Sequence, residues 1–277
     1  MRTKTLLLSA AVVAAGVASS MAQSNVYSLN IVGYVNIPVT KNKIVMLNNP
    51  FDTGVSNNAI ANVLLQPYFG GTNGVPDPAL DYGWDGTFLY HFQPGTGYIQ
   101  EGYNTGFGWA AGNNDPGDAN GFSTITLPPG KGFWLIPTTN GTVTFTGSVV
   151  LSSTNTLVKG IQQVGSVYAG ATTLAGLGLG TANATTPGVA TEHANDGDFI
   201  YRWYTPSFPA QAGYTEPAYT YSSGLGFNTG YGWYDNDAPG GAGGSTNGPI
   251  MNPGEGFWYL IGPAGQTVTW PQNFTVN

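Results

Sequence analysis

From Tyr27 the chain alternates: Tyr27, Leu29, Ile31, Gly33, Val35, Ile37 and Val39 are apolar or Gly, and Ser28, Asn30 and Asn36 fall between them. A period of two predicts a β-strand with one buried side. Pro38 has no N–H to donate, which places its part of the strand at an edge or a bend. Residues 43–47 predict a second strand, ended by Asn48-Asn49-Pro50. Ser56 then stands where it can cap a short helix in which Ile60, Val63 and Leu64 share a face. Loop signals come next (Gly70-Gly71, Asn73-Gly74, Pro76-Asp77-Pro78), and order resumes at Trp84, with Asp85-Gly86 turning the chain into a strand over residues 87–92. Thr142-Val143-Thr144-Phe145 alternates once more.

The pattern then repeats. The run from Tyr103 to Trp109 (Tyr-Asn-Thr-Gly-Phe-Gly-Trp) recurs from Phe227 to Trp233 (Phe-Asn-Thr-Gly-Tyr-Gly-Trp), 124 positions on. At the same offset of 124, Gly130-Lys131-Gly132-Phe133-Trp134 matches Gly254-Glu255-Gly256-Phe257-Trp258. The Asp85-Gly86 strand matches the one after Asp196-Gly197 at an offset of 111, and residues 142–145 match 267–270 at 125. More weakly, residues 44–51 set against 161–168 and 60–63 against 174–177, where Gly176, Gly178 and Gly180 argue against a second helix. The growth of the offset from 111 to 124 puts about 13 extra residues in the second half, within 205–226. A propeller would repeat every 40 to 50 residues or so, less than half this period. The expectation is therefore an all-β fold of two tandem, homologous, antiparallel β-sandwich or barrel-like halves, residues 23–150 and 151–277. Residues 147–158 contain no Pro and predict a tight extended connection between them.

Composition says where such a chain works. Arg2 and Lys4, an apolar run from Thr5 to Ala18, and Ser20-Met21-Ala22 before Gln23 form the three zones of a secretory signal, predicting cleavage after Ala22 and an exported protein, extracellular, on the cell surface or in the periplasm. No later stretch approaches the ~20 apolar residues of a transmembrane helix. The chain has no Cys, so stability rests on packing without disulfides. Loss of the signal leaves Lys41, Lys43, Lys131, Lys159 and Arg202 against fourteen acidic residues, a poor surface for nucleic acid. With 8% charged and 13% aromatic residues, an uncharged polar surface carrying rings suits glycans, or packing against other copies of itself.

The candidate chemistry is thin. Acidic loops holding Asp115 and Asp118, and Asp235 and Asp237, offer oxygen ligands for calcium but lack EF-hand spacing, and solvated turns account for such residues equally well. His91 and His193 show no zinc spacing, and no Ser stands in a G-x-S-x-G elbow. Glu101 and Glu216 each follow a Gly-Tyr pair and are the carboxylates a glycoside hydrolase would need, but they fall in different halves. The residues read as glycan-binding are Trp109, Trp233, Tyr103 and Tyr231, which alternate with Gly; exposed, they form stacking platforms, and buried, they are the core of each half, which is the favoured reading. No catalytic residue, metal or cofactor is assigned.

The segment Asn-Ile-Val-Gly-Tyr-Val-Asn from Asn30 to Asn36, together with Pro-Gly-x-Gly-Phe-Trp at 129–134 and 253–258, resembles a group of exported bacterial β-rich proteins. The resemblance implies an exported β-protein and carries over no activity, ligand or catalytic residue. The expected function is a non-enzymatic structural or adhesive role outside the cell, followed by a glycan-binding module and then by an enzyme. The strand over residues 27–39 is the expected self-association element; within one molecule its expected partner is the strand over 267–270.

Overall fold

The alternating segment becomes β1 (Val32–Val39) in a computed structural model of the protein, with Gly33, Ile37 and Val39 turned inward and Val32, Tyr34 and Pro38 outward. The structure describes residues 31–54, 58–64, 84–104, 108–112, 122–180, 194–209, 218–222, 224–228, 232–235 and 247–274. Residues 1–31 and 32–277 are separate units, and every described strand belongs to the second. In chain order come β2 (Val45–Asn48), β3 (Phe51–Asp52), the one-turn helix α1 (Ile60–Val63), β4 (Phe88–Gln93), β5 (Gly97–Asn104), β6 (Gly108–Ala111), β7 (Gly132–Ile136) and β8 (Gly141–Val149). They are followed by β9 (Ser152–Leu157), β10 (Gly160–Gly165), β11 (Thr172–Thr173), β12 (Phe199–Tyr204), β13 (Thr220–Tyr221), β14 (Leu225–Asn228), β15 (Gly232–Asp235), β16 (Ile250–Met251), β17 (Gly256–Ile261) and β18 (Val268–Asn273). The fold is all-β, and every strand pairing is antiparallel among the described residues.

Two layers enclose each core. The five-stranded sheet β2-β7-β4-β5-β6 and the sheet β1-β8-β3 contribute Val45, Leu47, Leu89, Phe133 and Leu135 on one side and Ile37, Phe51, Val143 and Phe145 on the other to one apolar cluster. The sheet β10-β17-β12-β14-β15 and the pair β9-β18 do the same with Val164, Ile200, Phe257 and Tyr259 against Leu157, Val268 and Trp270. Their contacts correspond. Leu47 lies opposite Phe133 as Val164 lies opposite Phe257. Trp109 Nε1–H donates to the Leu64 carbonyl (3.5 Å), and Trp233 Nε1–H to the Leu179 carbonyl (2.7 Å). From the longer second-half segment, Phe208 enters the first core.

The Gly-x-Gly-Phe-Trp motifs lie where the five-stranded sheet meets the sheet β10-β17-β12-β14-β15, which β13 extends to six strands by pairing with β12. Leu47 bridges to Glu255, and Val164 to Lys131. The Asn48 N–H donates to the Gly254 carbonyl and the Gly165 N–H to the Gly130 carbonyl, each at 2.9 Å. A Cβ on Gly256 would lie 2.5 Å from the Leu47 carbonyl oxygen, and one on Gly132 2.8 Å from the Val164 nitrogen. The second glycine of each motif is thus the space into which backbone from the other half fits.

Two local expectations change. The helix starts after Ala59, with no side-chain cap bond, because it is a single turn held by Ile60 and Val63 in the core; Ser56 lies outside the described residues. Of the segment at 267–270, Val268, Thr269 and Trp270 fall in β18, which pairs with β9, while β1 pairs with β8. Each half thus pairs its own first strand with its own last, β1 with β8 and β9 with β18, which leaves β18 no place beside β1. Between the halves only Val150 and Leu151 separate β8 from β9.

Candidate functional site

The structure places the rings singled out from sequence in the cores. Tyr103, Trp109 and Trp233 are 2%, 3% and 0% exposed and offer no face to a ligand; Tyr231 lies outside the described residues. The physical reason is the alternation of β5, β6, β14 and β15, in which these positions fall on the side that packs against the second layer.

The exposed rings stand on the opposite side of the same sheets. Leu89 of β4 faces the core, so Phe88, Tyr90 and Phe92 point the other way. On β12, Ile200 and Tyr204 are buried while Phe199, Tyr201 and Trp203 take the other face. Trp134 on β7 and Trp258 on β17 face the same side, packed with Met46. Each indole N–H donates to a tyrosine hydroxyl: Trp134 Nε1 to Tyr98 Oη at 2.9 Å and Trp258 Nε1 to Tyr221 Oη at 3.2 Å.

These rings form two equivalent sets that interlock edge to face. Phe92 lies 5.0 Å from Trp258 and Trp203 lies 5.5 Å from Trp134; Tyr98 lies 6.1 Å from Trp258 and Tyr221 6.0 Å from Trp134. Two grooves open between them. One, of about 440 Å³, is lined by Ile44, Tyr90, Tyr98, Trp134, Ile136, Trp203 and Tyr221. The other, of about 520 Å³, is lined by Phe92, Tyr98, Ile161, Tyr201, Tyr221, Ser222 and Trp258. Exchanging the halves carries one lining onto the other except at Ile136 and Ser222, and Tyr98 and Tyr221, 51% and 40% exposed, belong to both.

The electrostatics of the grooves are those of neutral donors. Burial raises the pKa of both Tyr98 and Tyr221, against the lowering effect of the indole N–H bonds, and Tyr98 adds to the rise at Tyr221. Each phenol therefore keeps its proton at neutral pH. Its oxygen already accepts from a Trp N–H, so the free capacity at the mouth of the grooves is donation.

The remaining sequence candidates lie apart. Glu101 is buried on the core side of β5, its pKa raised by burial and held back by a hydrogen bond from Ser123; Glu216 lies outside the described residues. Asp115, Asp118, Asp237 and His193 also lie outside them, and of Asp235 only the backbone, in β15, is described. Among the described residues no group of three or more His, Cys, Asp or Glu is placed to hold a metal, and no helix is long and apolar enough to cross a membrane.

Tyr98, Trp134, Tyr221 and Trp258 were not among the site residues expected from sequence. The signal was present. Phe88-Leu89-Tyr90-His91-Phe92 and Phe199-Ile200-Tyr201-Arg202-Trp203 carry large apolar side chains on both faces, and a strand with a core on one side has no need of rings on the other. Comparison of the chain with protein-family models, curated proteins and solved structures finds no match.

Proposed function

We propose that this is an exported, non-enzymatic adhesive protein of the cell surface or exterior that holds glycan in its paired aromatic grooves. The observation that carries the reading is the shared pair Tyr98 and Tyr221, ring-bearing, half exposed, with hydroxyls free to donate. A pyranose presents a face of C–H groups, which packs on an aromatic ring, and a rim of oxygens, which accept from a phenol. A purely hydrocarbon ligand would bury the same two O–H groups unpaired, at about 1–3 kcal/mol each. Groove volumes of about 440 and 520 Å³ fall within the usual range for small-ligand sites. The net charge of −7 is compatible with a neutral glycan and opposes nucleic acid.

Two related grooves suit a repeating polymer, since one chain engaged at both gains effective concentration with no new contact. Tryptophan fluorescence of the mature protein titrated with neutral oligosaccharides tests the reading. Trp203 is partly exposed beside Tyr221 and is the indole whose emission shifts on occupancy. A panel of neutral oligosaccharides that leaves the emission unchanged at millimolar concentration would count against it.

A further inference from the structure

At one interior position the two halves differ in chemistry. In the second half Arg202 of β12 and Glu255 before β17 form a fully buried ion pair, Nε to Oε1 at 2.8 Å. Glu255 Oε2 also accepts from the backbone N–H (3.0 Å) and the Nδ2 (2.9 Å) of Asn252. The matching positions in the first half are His91, Lys131 and Pro128. The acid has become a cation, the guanidinium a smaller imidazole, and the supporting amide a residue with no donor. Where the pair fills the second half, the first half has a cavity of about 420 Å³, lined by His91, Gln93, Thr124, Thr126, Pro128 and Lys131 among others.

Two of the residues lining this cavity carry unfulfilled polar groups. His91 is 9% exposed, and its Nε2 has no hydrogen-bond partner among the described residues. Lys131 Nζ makes one bond, to the Phe92 carbonyl at 3.2 Å, leaving two of its three protons. Among the described residues it pairs with no carboxylate. Glu101, the one acid on the same face of the sheet, lies opposite Leu89 in register, two positions from His91's own partner Ile99, and is bonded to Ser123. Burial, and then the neighbouring Lys131 charge, hold His91 below its ordinary pKa; burial does the same to Lys131. An acid in the cavity would reverse both effects.

We propose that His91 and Lys131 form a site for a small oxyanion, a carboxylate or a sulfate, present in the first half and replaced by the Arg202–Glu255 pair in the second. The ammonium supplies charge, and the imidazole, once protonated, donates a hydrogen bond from Nε2. Thr124 and Thr126 line the rest. The bound oxygen takes the place that the Glu255 carboxylate occupies in the other half. Binding is linked to protons: it strengthens as pH falls through the His91 midpoint, and the anion raises that midpoint.

The chain contains two histidines, His91 and His193, so imidazole NMR of the mature protein reads the site with an internal control. The midpoint of each is measured in sodium chloride, sodium acetate and sodium sulfate at equal ionic strength. Acetate or sulfate is expected to raise the His91 midpoint by about one unit or more, the effect of an opposite charge within hydrogen-bonding reach, and to leave His193 in place. A response to acetate alone identifies a planar carboxylate site; a response to sulfate alone identifies a tetrahedral one. Lys131→Met keeps the His91 probe and is expected to weaken the anion at least tenfold. His91→Arg with Lys131→Glu installs the second-half pair and is expected to abolish any stabilisation by the anion beyond the ionic-strength control. A His91 midpoint that neither anion moves, or that moves equally in Lys131→Met, overturns the proposal even if the double variant does not fold.

Discussion

Removal of the Glu255 carboxylate is the sharpest perturbation of this fold. Glu255→Ala withdraws the acid from Arg202, which is fully buried, and from the two Asn252 donors. Arg202 is left with its Nη1 unpaired among the described residues and its guanidinium over the Tyr204 ring at 5.4 Å, and a ring face does not replace a carboxylate. Breaking a buried pair from one side costs about 3–5 kcal/mol. A chain of this length loses about 2–4 °C per kcal/mol, so the melting temperature should fall by roughly 6–20 °C. Arg202→Met with Glu255→Leu removes both charges and their desolvation together, and is expected to be less damaging than either single change. Urea unfolding of the parent, Arg202→Met, Glu255→Leu and the double variant, the four corners of one cycle, measures the coupling. A Glu255→Ala variant within about 1 kcal/mol of the parent, or a double variant whose loss equals the sum of the singles, would refute this reading of the pair.

Other positions give further expected outcomes. Gly256→Ala forces a Cβ to within 2.5 Å of the Leu47 carbonyl oxygen; a loss of about 1–3 kcal/mol or more is expected, measured by urea unfolding, and an unchanged midpoint would show that the sheets do not need this approach. The raised pKa of Glu101 means that the folded state holds its proton more tightly, so its favourable contribution is complete below pH 4.5 and is lost as pH rises through the folded value. Glu101→Gln should therefore gain stability over the parent progressively above about pH 4.5, and melting curves from pH 4 to 8 that run parallel would contradict this. Six of the seven Trp are buried, with Trp203 the partly exposed exception, so acrylamide should quench the free protein weakly, with a single accessible fraction.

Much of the architecture was legible because it rests on periodicity. Alternation at 32–39 and 142–145, and turn residues at Asp85-Gly86 and Asp196-Gly197, announce strands without reference to tertiary contacts; residues 27–30 of the expected first strand lie outside the described residues. The Gly-x-Gly-Phe-Trp motifs were visible as landmarks, yet their reason was not, since the backbone that crowds Gly132 and Gly256 comes from residues more than thirty positions away at the nearest. The reading of the Gly-flanked rings as core agrees with their burial, and the exposed rings were missed for a related cause. Rings beside glycine drew attention to Trp109 and Trp233, whereas exposure is decided by which face of the sheet the second layer covers. That layer is β1-β8-β3 in one half and β9-β18 in the other, and the pairing of β1 with β8 depends on proximity that an alternation pattern does not encode. The Arg202–Glu255 pair and its altered counterpart, His91 and Lys131, become visible only once register brings offsets of 111 and 124 to the same point in space.

Whether the grooves around Tyr98 and Tyr221 bind glycan is decided on a glycan array, with the mature protein beside its Tyr98→Ala/Tyr221→Ala variant. Both side chains are half exposed, so the variant should fold, with a melting temperature below that of the parent because the two indole N–H groups lose their phenol acceptors. The parent is expected to bind a set of neutral glycans, and the folded variant to lose them. A parent that binds no glycan, or a folded variant that keeps the parent's pattern, contradicts glycan binding at these grooves.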